Sequence, residues 1–388
     1  MNVAIAPNRH TDKTLRALCA CVLLIILTAG LWPFHAPGNE VTWSNQDTGL
    51  LFGKHGSVLS ASSFESSAVK PNNSCSLDIW LKPSQVDAGG GMILAFYWPD
   101  SNLVPFSLRQ YRAGLVLGSE SQKSSLRNAE IYVGDILSSA RPVLVTITSS
   151  ESGTAIYADG ALRKRVSNFV LSSRDLTGQL LIGSAPSTSY NWSGELKGLA
   201  VYDHQLSPAE VSNQLAVWTG AASVRASNSQ GVIARYVFDE GKGGVVHNQA
   251  NSATDLLIPE RFFLLHPQFL ERPWDEYHPG WRYWKNVAVN IVGFIPLGFF
   301  FRPYFGRILN PKRSNLLVIA FGFAVSLTIE VGQSFLPTRD SGMTDLITNT
   351  FGTASGVMLY LWVTRRNWFV RTGIAPTLPL EDKVYSNR

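Results

Sequence analysis

Apolar residues are segregated along this chain. Long apolar runs lie near both ends, at Ala17–Trp32, Trp284–Phe301, Leu316–Leu336 and Leu346–Val363. Each approaches the roughly 20 residues that a helix needs to cross a bilayer, so about four transmembrane helices are expected. The stretch between the first run and the rest is different. Leu77-Asp78-Ile79-Trp80-Leu81 alternates, and Val143–Thr148 is rich in β-branched residues. Asp159-Gly160 separates two such runs, as a two-residue type I′ hairpin turn requires. Many short strands with turn residues between them predict an all-β sandwich over residues 38–259. The full expected order is a tail (1–14), a first helix (15–33), the sandwich, an aromatic-rich neck (260–283), a membrane unit (284–364, helices near 284–301, 316–336 and 346–363) and a second tail (365–388).

Charge supplies the orientation. Basic residues cluster at Arg9, Lys13 and Arg16, at Arg302, Arg307, Lys312 and Arg313, and at Arg365, Arg366 and Arg371. With four helices and the N-terminus inside, all three clusters face the cytoplasm, as basic loops do in membrane proteins. The sandwich then lies outside, and Trp274, Tyr277, Trp281, Tyr283 and Trp284 form an outer aromatic belt. The first run also has the features of a signal peptide; its Trp-Pro end and the need of later helices for a partner favour an uncleaved helix. The net charge of +5 is modest and flanks the apolar runs, so nucleic acid is not an expected partner. Of three cysteines only Cys75 falls in the sandwich, which therefore has no internal disulfide.

The membrane helices carry polar faces. Ser326, Glu330 and Gln333 recur at i, i+4 and i+7, and so do Asn286, Asn290 and Gly293. Asp345, Asn349, Gly352 and Gly356 continue the same spacing to i+11. Each set shares one side of its helix. A lone carboxylate in lipid costs roughly 2.5–3.5 kcal/mol, so Glu330 needs protonation or a partner, for which Arg339, Asn290 and Asn349 are candidates. Two readings stand: interhelical hydrogen bonding, with Gly352-x-x-x-Gly356 allowing close approach, or a pocket open to the outer leaflet.

Ser74–Pro83, Tyr157–Gly160, Leu181-Ile182-Gly183, Trp192–Leu196 and Val201–Ser207 resemble the laminin-G-like, concanavalin A-like lectin/glucanase superfamily. The resemblance implies a jelly-roll that binds glycans or proteins. Glu-x-Asp-x-x-Glu, the carboxylate run that glucanases on this fold use, does not occur. Trp80 and Trp192 are candidates for stacking on sugars, with core packing as the alternative. Ile233–Gly241 resembles a segment that often opens such domains, and here it either completes the sandwich or begins a truncated second one. Asn290–Gly298, Ser326–Gln333 and Arg339–Gly352 resemble the VanZ-like family, named for a teicoplanin-resistance protein of bacterial envelopes. The first helix is a candidate to complete that unit, with the lectin-like domain as an insertion. No metal ligand set and no cofactor motif is read from the sequence. The expected partners are the lipid bilayer and an envelope glycan or lipid-linked glycan. The rival functions are an enzyme or handler of a lipid-linked glycan and a scaffold of an exopolysaccharide system.

Overall fold

A computed structural model describes residues 9–372 except 46, 66–73, 87–89, 121–129, 140, 189, 222–230, 251–253 and 278. The chain forms two compact units: residues 35–268 with 336–340, and residues 1–34, 269–335 and 341–388. Helix α1 is Arg9–Leu31. Sixteen strands follow among the described residues: β1 Val41–Trp43, β2 Leu50–Phe52, β3 Val58–Ser60, β4 Cys75–Pro83, β5 Gly91–Trp98, β6 Leu103–Tyr111, β7 Gly114–Gly118, β8 Glu130–Val133, β9 Val143–Ser150, β10 Gly153–Ala158, β11 Ala161–Val166, β12 Gln179–Ile182, β13 Gly194–Tyr202, β14 Val232–Tyr236, β15 Val245–Val246 and β16 Leu256–Leu257. The helices after α1 are α2 Pro208–Trp218, α3 Pro273–Glu276, α4 Trp281–Phe305, α5 Pro311–Gln333 and α6 Met343–Thr372.

The strands make an antiparallel sandwich. One sheet runs β1-β2-β13-β4-β9-β10-β11, with β14 also paired to β13; the other runs β15-β16-β3-β12-β5-β6-β7-β8. Strand β14 thus completes this sandwich and opens no second one. Alternation sorts the side chains. Leu77, Ile79 and Leu81 of β4 point to the shared core with Phe96, Phe106, Leu180 and Leu199. The turn at Asp159-Gly160 has positive φ at both residues, as type I′ geometry demands. Asp159 also accepts a hydrogen bond from the Leu144 N–H (3.0 Å) and pairs with Arg141 (2.8 Å).

Helix α2 is the element that the strand pattern hides. The closing-strand reading through Ser207 is corrected: β13 stops at Tyr202, and Ser207 caps a helix. Its hydroxyl accepts from the Glu210 N–H while the Glu210 carboxylate accepts from the Ser207 N–H, a capping box followed by proline at the first helical position. The helix covers the outer face of its sheet, where Val211 and Trp218 pack on Leu144, Ala155, Tyr157, Ala200 and Tyr202. Asp78 of β4 is fully buried under this cover. Its carboxylate accepts from Thr146 Oγ1 (2.6 Å), Tyr202 Oη (2.8 Å) and Trp218 Nε1 (3.2 Å). Arg235, whose guanidinium lies 5.0 Å from the Trp218 ring centre, supplies the opposing charge.

In the other unit α1 joins α4, α5 and α6. Cys19 and Ile26 of α1 share a core with Phe294, Leu297, Val325, Ile329 and Val357. The first helix therefore completes the helical unit, and the sandwich is inserted in sequence between α1 and α3. Of the four long helices, α1 (from Lys13), α4 and α5 are both long and apolar enough to cross a membrane. The expected fourth differs: α6 has 30 residues, ample length, but Thr344, Asp345, Thr348, Asn349 and Thr350 dilute its first turns.

Residues 38–259, expressed alone, are expected to give a β-type circular dichroism spectrum and a cooperative melt; a helical spectrum would contradict the fold. In that domain Asp78→Ala leaves three donors without their acceptor and Arg235 without its opposing charge. The expected loss is about 3 kcal/mol, seen as a melting point lower by roughly 6–12 °C. Burial holds the Asp78 carboxyl above the ordinary carboxylate range, against the pull of its hydrogen bonds and Arg235. The folded state then binds this proton more tightly than the unfolded chain, where it titrates near about 3.9. Its contribution is full below that pH and declines as pH rises toward the folded value. The stability of the parent domain relative to Asp78→Asn should therefore fall as pH climbs from about 4; a rise in relative stability would contradict this.

Candidate functional site

The helical unit gathers its polar residues along one seam. Asn310 caps α5 by accepting from the Arg313 N–H (3.0 Å), and Pro311 opens the helix. The apolar α5 sequence then carries Ser326, Glu330 and Gln333 inward, all buried. Glu330 is only 1% exposed. One carboxylate oxygen accepts from the Gly342 N–H (2.9 Å), and the Ser341 hydroxyl is a second donor. Both lie just before α6, so the loop closing α5 to α6 caps the acid. Asp345 and Glu276 are acidic neighbours of this carboxyl.

The other members form a ladder. Asn290 of α4 donates to Asp345 of α6 (2.7 Å). One turn further along α6, Asn349 donates to Ser326 of α5 (3.0 Å). Gln333 donates to the Gly30 carbonyl of α1 (2.9 Å). All four long helices are thus tied through side-chain amides or carboxylates. Two acceptors in this seam, Asn349 Oδ1 and Gln333 Oε1, are buried without a hydrogen-bond partner. Arg339, a sequence candidate for pairing with Glu330, falls in the 336–340 segment that groups with the β-rich unit, and its N–H donates to the Leu336 carbonyl (3.0 Å).

Glu276 is a member that sequence reasoning missed. It sits on α3, and the Thr344 N–H points at its carboxylate (3.4 Å). A Cβ at Gly342 would strike that same carboxylate. Arg272-Pro273-Trp274-Asp275-Glu276 does carry a helix-start signature, proline at the first position followed by acids. The polar seam is possible because α4 and α6 touch. Cβ atoms at Gly352 and Gly356 would collide with the carbonyls of Ile291 and Ile295, and one at Gly298 with the Thr353 carbonyl. At Gly293 nothing lies within 4 Å.

On the sandwich, the two tryptophans have different settings. Trp192 is 2% exposed, stacks obliquely on Phe52 and donates to Gln110 Oε1 (2.8 Å). It is a core residue with no ring face left for a sugar. Trp80 is half-buried beside α2, and the Lys197 ammonium lies 5.5 Å from its ring centre. Among the described residues no group of three His, Cys, Asp or Glu side chains is placed to hold a metal ion.

Residues 234–364 match the family described as VanZ/LLP1. This stretch is about a third of the chain. That region begins inside β14, spans the neck and contains Glu276, Asn290, Ser326, Glu330, Gln333, Asp345 and Asn349. Residues 54–212 match the concanavalin A-like lectin/glucanases superfamily and end within α2. No curated protein matches the chain. Among solved structures, a putative carbohydrate binding protein from Bacteroides ovatus is similar over 60% of this chain and 63% of its own, at 12% identity and a TM-score of 0.39. The chain thus spans under two thirds of that protein. A heptameric pentraxin from Limulus polyphemus is similar over 59% of this chain and 95% of its own, at 17% identity and a TM-score of 0.34. The CBM40 of a Ruminococcus gnavus IT-sialidase, bound to α2,3 sialyllactose, covers 44% of this chain and 96% of its own, at 13% identity and a TM-score of 0.33.

Two alanine substitutions on one helix pair separate contact from composition. Gly356→Ala drives a methyl into the Ile295 carbonyl and is expected to cost about 1–3 kcal/mol, read as a lower melting temperature in detergent. Gly293→Ala meets open space and gains helix propensity, so it should be neutral or stabilising. Equal effects at both positions would contradict the close α4–α6 packing.

Proposed function

We propose that this is a multi-pass envelope protein that holds a glycan-binding sandwich at a bacterial plasma membrane. What supports this is the chain's division: α1 and α4–α6 close into one helical unit with apolar surfaces, and the residues between them fold as a concanavalin A-like domain. The basic loop between α4 and α5 and the basic ends of the chain lie on the cytoplasmic side in this reading, and the sandwich lies outside. The resemblance to the VanZ-like family supports a role in glycopeptide resistance as part of this reading, and teicoplanin sensitivity is the phenotype to examine. The test is direct binding. The full chain in nanodiscs of zwitterionic lipid should retain at least one envelope polysaccharide or glycan-array member. A chain that is folded and monodisperse but retains none would overturn the reading.

A second reading, a handler of a lipid-linked glycan, is favoured by one observation. Glu330 is a buried acid whose donors among the described residues, the Gly342 N–H and the Ser341 hydroxyl, are neutral, and the same seam holds two acceptors without partners. Such a set suits a ligand that brings hydroxyl or amine donors. If the seam only binds helices together, Glu330→Gln preserves an acceptor for Gly342 and leaves the envelope phenotype intact. If the carboxylate handles a ligand, Glu330→Gln abolishes the phenotype while expression, insertion and melting temperature stay at parental levels.

A further inference from the structure

One cation of the helical unit is buried with no opposing charge among the described residues. Arg302 lies in the last turn of α4 and is only 7% exposed. Its Nε donates to Asn315 Oδ1 of α5, and its Cζ lies 5.9 Å from the Tyr360 ring centre of α6. The side chain runs along α4 toward Gly306, where a Cβ would strike Nη1. Among the described residues Nη1 and Nη2 have no acceptor. The sequence offers little acid at this end. It holds no Asp or Glu from Tyr277 to Ile329 or from Leu346 to Leu380, and α1 has one, Asp12, against Arg9, Lys13 and Arg16. A guanidinium taken out of water without an anion is costly, and one amide and a ring face offset only part of that cost.

The start of α5 adds to the same deficit. Ser314 donates to the Arg302 carbonyl (3.5 Å), so the first turn of α5 sits against the end of α4. A helix N-terminus carries partial positive charge and favours acids in its first turn. Here that turn reads Pro311-Lys312-Arg313-Ser314 and has no acid. The Asn310 side chain accepts from the Arg313 N–H, and its carbonyl accepts from the Ser314 N–H. Proline has no N–H, so among the described residues the Lys312 N–H is the donor of this turn left without an acceptor. Lys312 itself is exposed, three residues before Asn315 and on the same side of the helix.

A buried guanidinium and an acid-free helix start thus call for one anion at the α4–α5 junction. The surroundings select its kind. Ile308, Leu316 and Trp362 are exposed, and each lies within two residues of a group that touches Arg302. An anion held here has hydrocarbon beside it. Phosphate fits the planar guanidinium fork, and anionic membrane lipids carry it where their tails begin.

We propose that Arg302, with Lys312 and the first turn of α5, binds the phosphate of an anionic membrane lipid. The proposal is independent of what the sandwich binds and rests only on the helical unit lying in a membrane. Exposed basic residues at helix ends also set topology. That role calls neither for a buried arginine nor for a glycine that makes room for it.

The test uses the full chain in a neutral maltoside detergent, read by native mass spectrometry and thermal melts. The probes are phosphatidylglycerol, phosphatidylcholine, oleate and inorganic phosphate. Phosphatidylglycerol should stay bound, raise the melting temperature and outbind the other three, with affinity falling as salt rises. Arg302→Gln should weaken it about tenfold, Arg302→Lys less, and Lys312→Gln about threefold. Arg282→Gln, at the opposite end of α4, should change nothing. If Arg302→Gln fails to fold, Lys312→Gln decides alone. Oleate binding as tightly would show a general anion surface and overturn the phosphate. Inorganic phosphate that displaces the lipid at equal concentration would assign the site to a free anion and overturn the lipid. Binding that ignores Arg302→Gln, or Lys312→Gln where the first does not fold, would leave Arg302 a tie between helix ends and overturn the site. A chain that stays in solution without detergent would instead remove the membrane reading beneath the proposal.

Discussion

A polar group taken out of water must find its partners inside the protein, and both units of this chain are organised around one buried carboxylate that does so. In the sandwich, Asp78 collects donors from β9, β13 and α2. That cluster ties the covering helix to the sheet, since Trp218 both packs on the strands and donates to the acid. In the helical unit, Glu330 is capped by the loop before α6. The two solutions differ in charge. Asp78 has Arg235 close by, whereas Glu330 has neutral donors and acidic neighbours. A structural acid is expected to look like the first; the second leaves chemistry to be accounted for.

Close approach makes the second arrangement possible. Asn290 can reach Asp345, and Asn349 can reach Ser326, only because α4, α5 and α6 meet through small residues. Gly298, Gly352 and Gly356 let two backbones touch, and Gly322 admits the Thr353 side chain in the same way. Without a hydrophobic driving force between helices in lipid, this contact and the amide ladder are what hold such a bundle. Polar seam and glycine seam run along the same faces and depend on each other.

Local patterns carried much of this into the sequence. Alternation located the strands, Asp159-Gly160 marked its hairpin, and the i, i+4, i+7 spacing put Ser326, Glu330 and Gln333 on one side of α5. What stayed hidden was mostly long-range. Nothing in Leu77-Asp78-Ile79 says that Tyr202, Trp218 and Arg235, more than a hundred residues away, will close over the aspartate. Helix α2 was legible in Ser207-Pro208-Ala209-Glu210, and the polar run Asp203-His204-Gln205 marks where the strand before it ends. Helix limits drawn from apolar runs also fell short. The structure starts α5 at Pro311, before its apolar stretch, because Asn310 supplies a cap. Glu276 escaped because its short helix sits in a stretch whose aromatics dominate the reading.

The account's central claim is that the sandwich and the α4–α5 loop lie on opposite sides of a membrane. Labelling with an impermeant thiol reagent tests it most directly, in a chain lacking Cys19, Cys21 and Cys75. Ser101→Cys reports on the sandwich and Lys312→Cys on the loop, both at exposed positions. The account predicts that Ser101→Cys reacts in intact spheroplasts and that Lys312→Cys reacts only after the membrane is opened. Labelling of Lys312→Cys but not Ser101→Cys in intact spheroplasts, or of both alike, would contradict it.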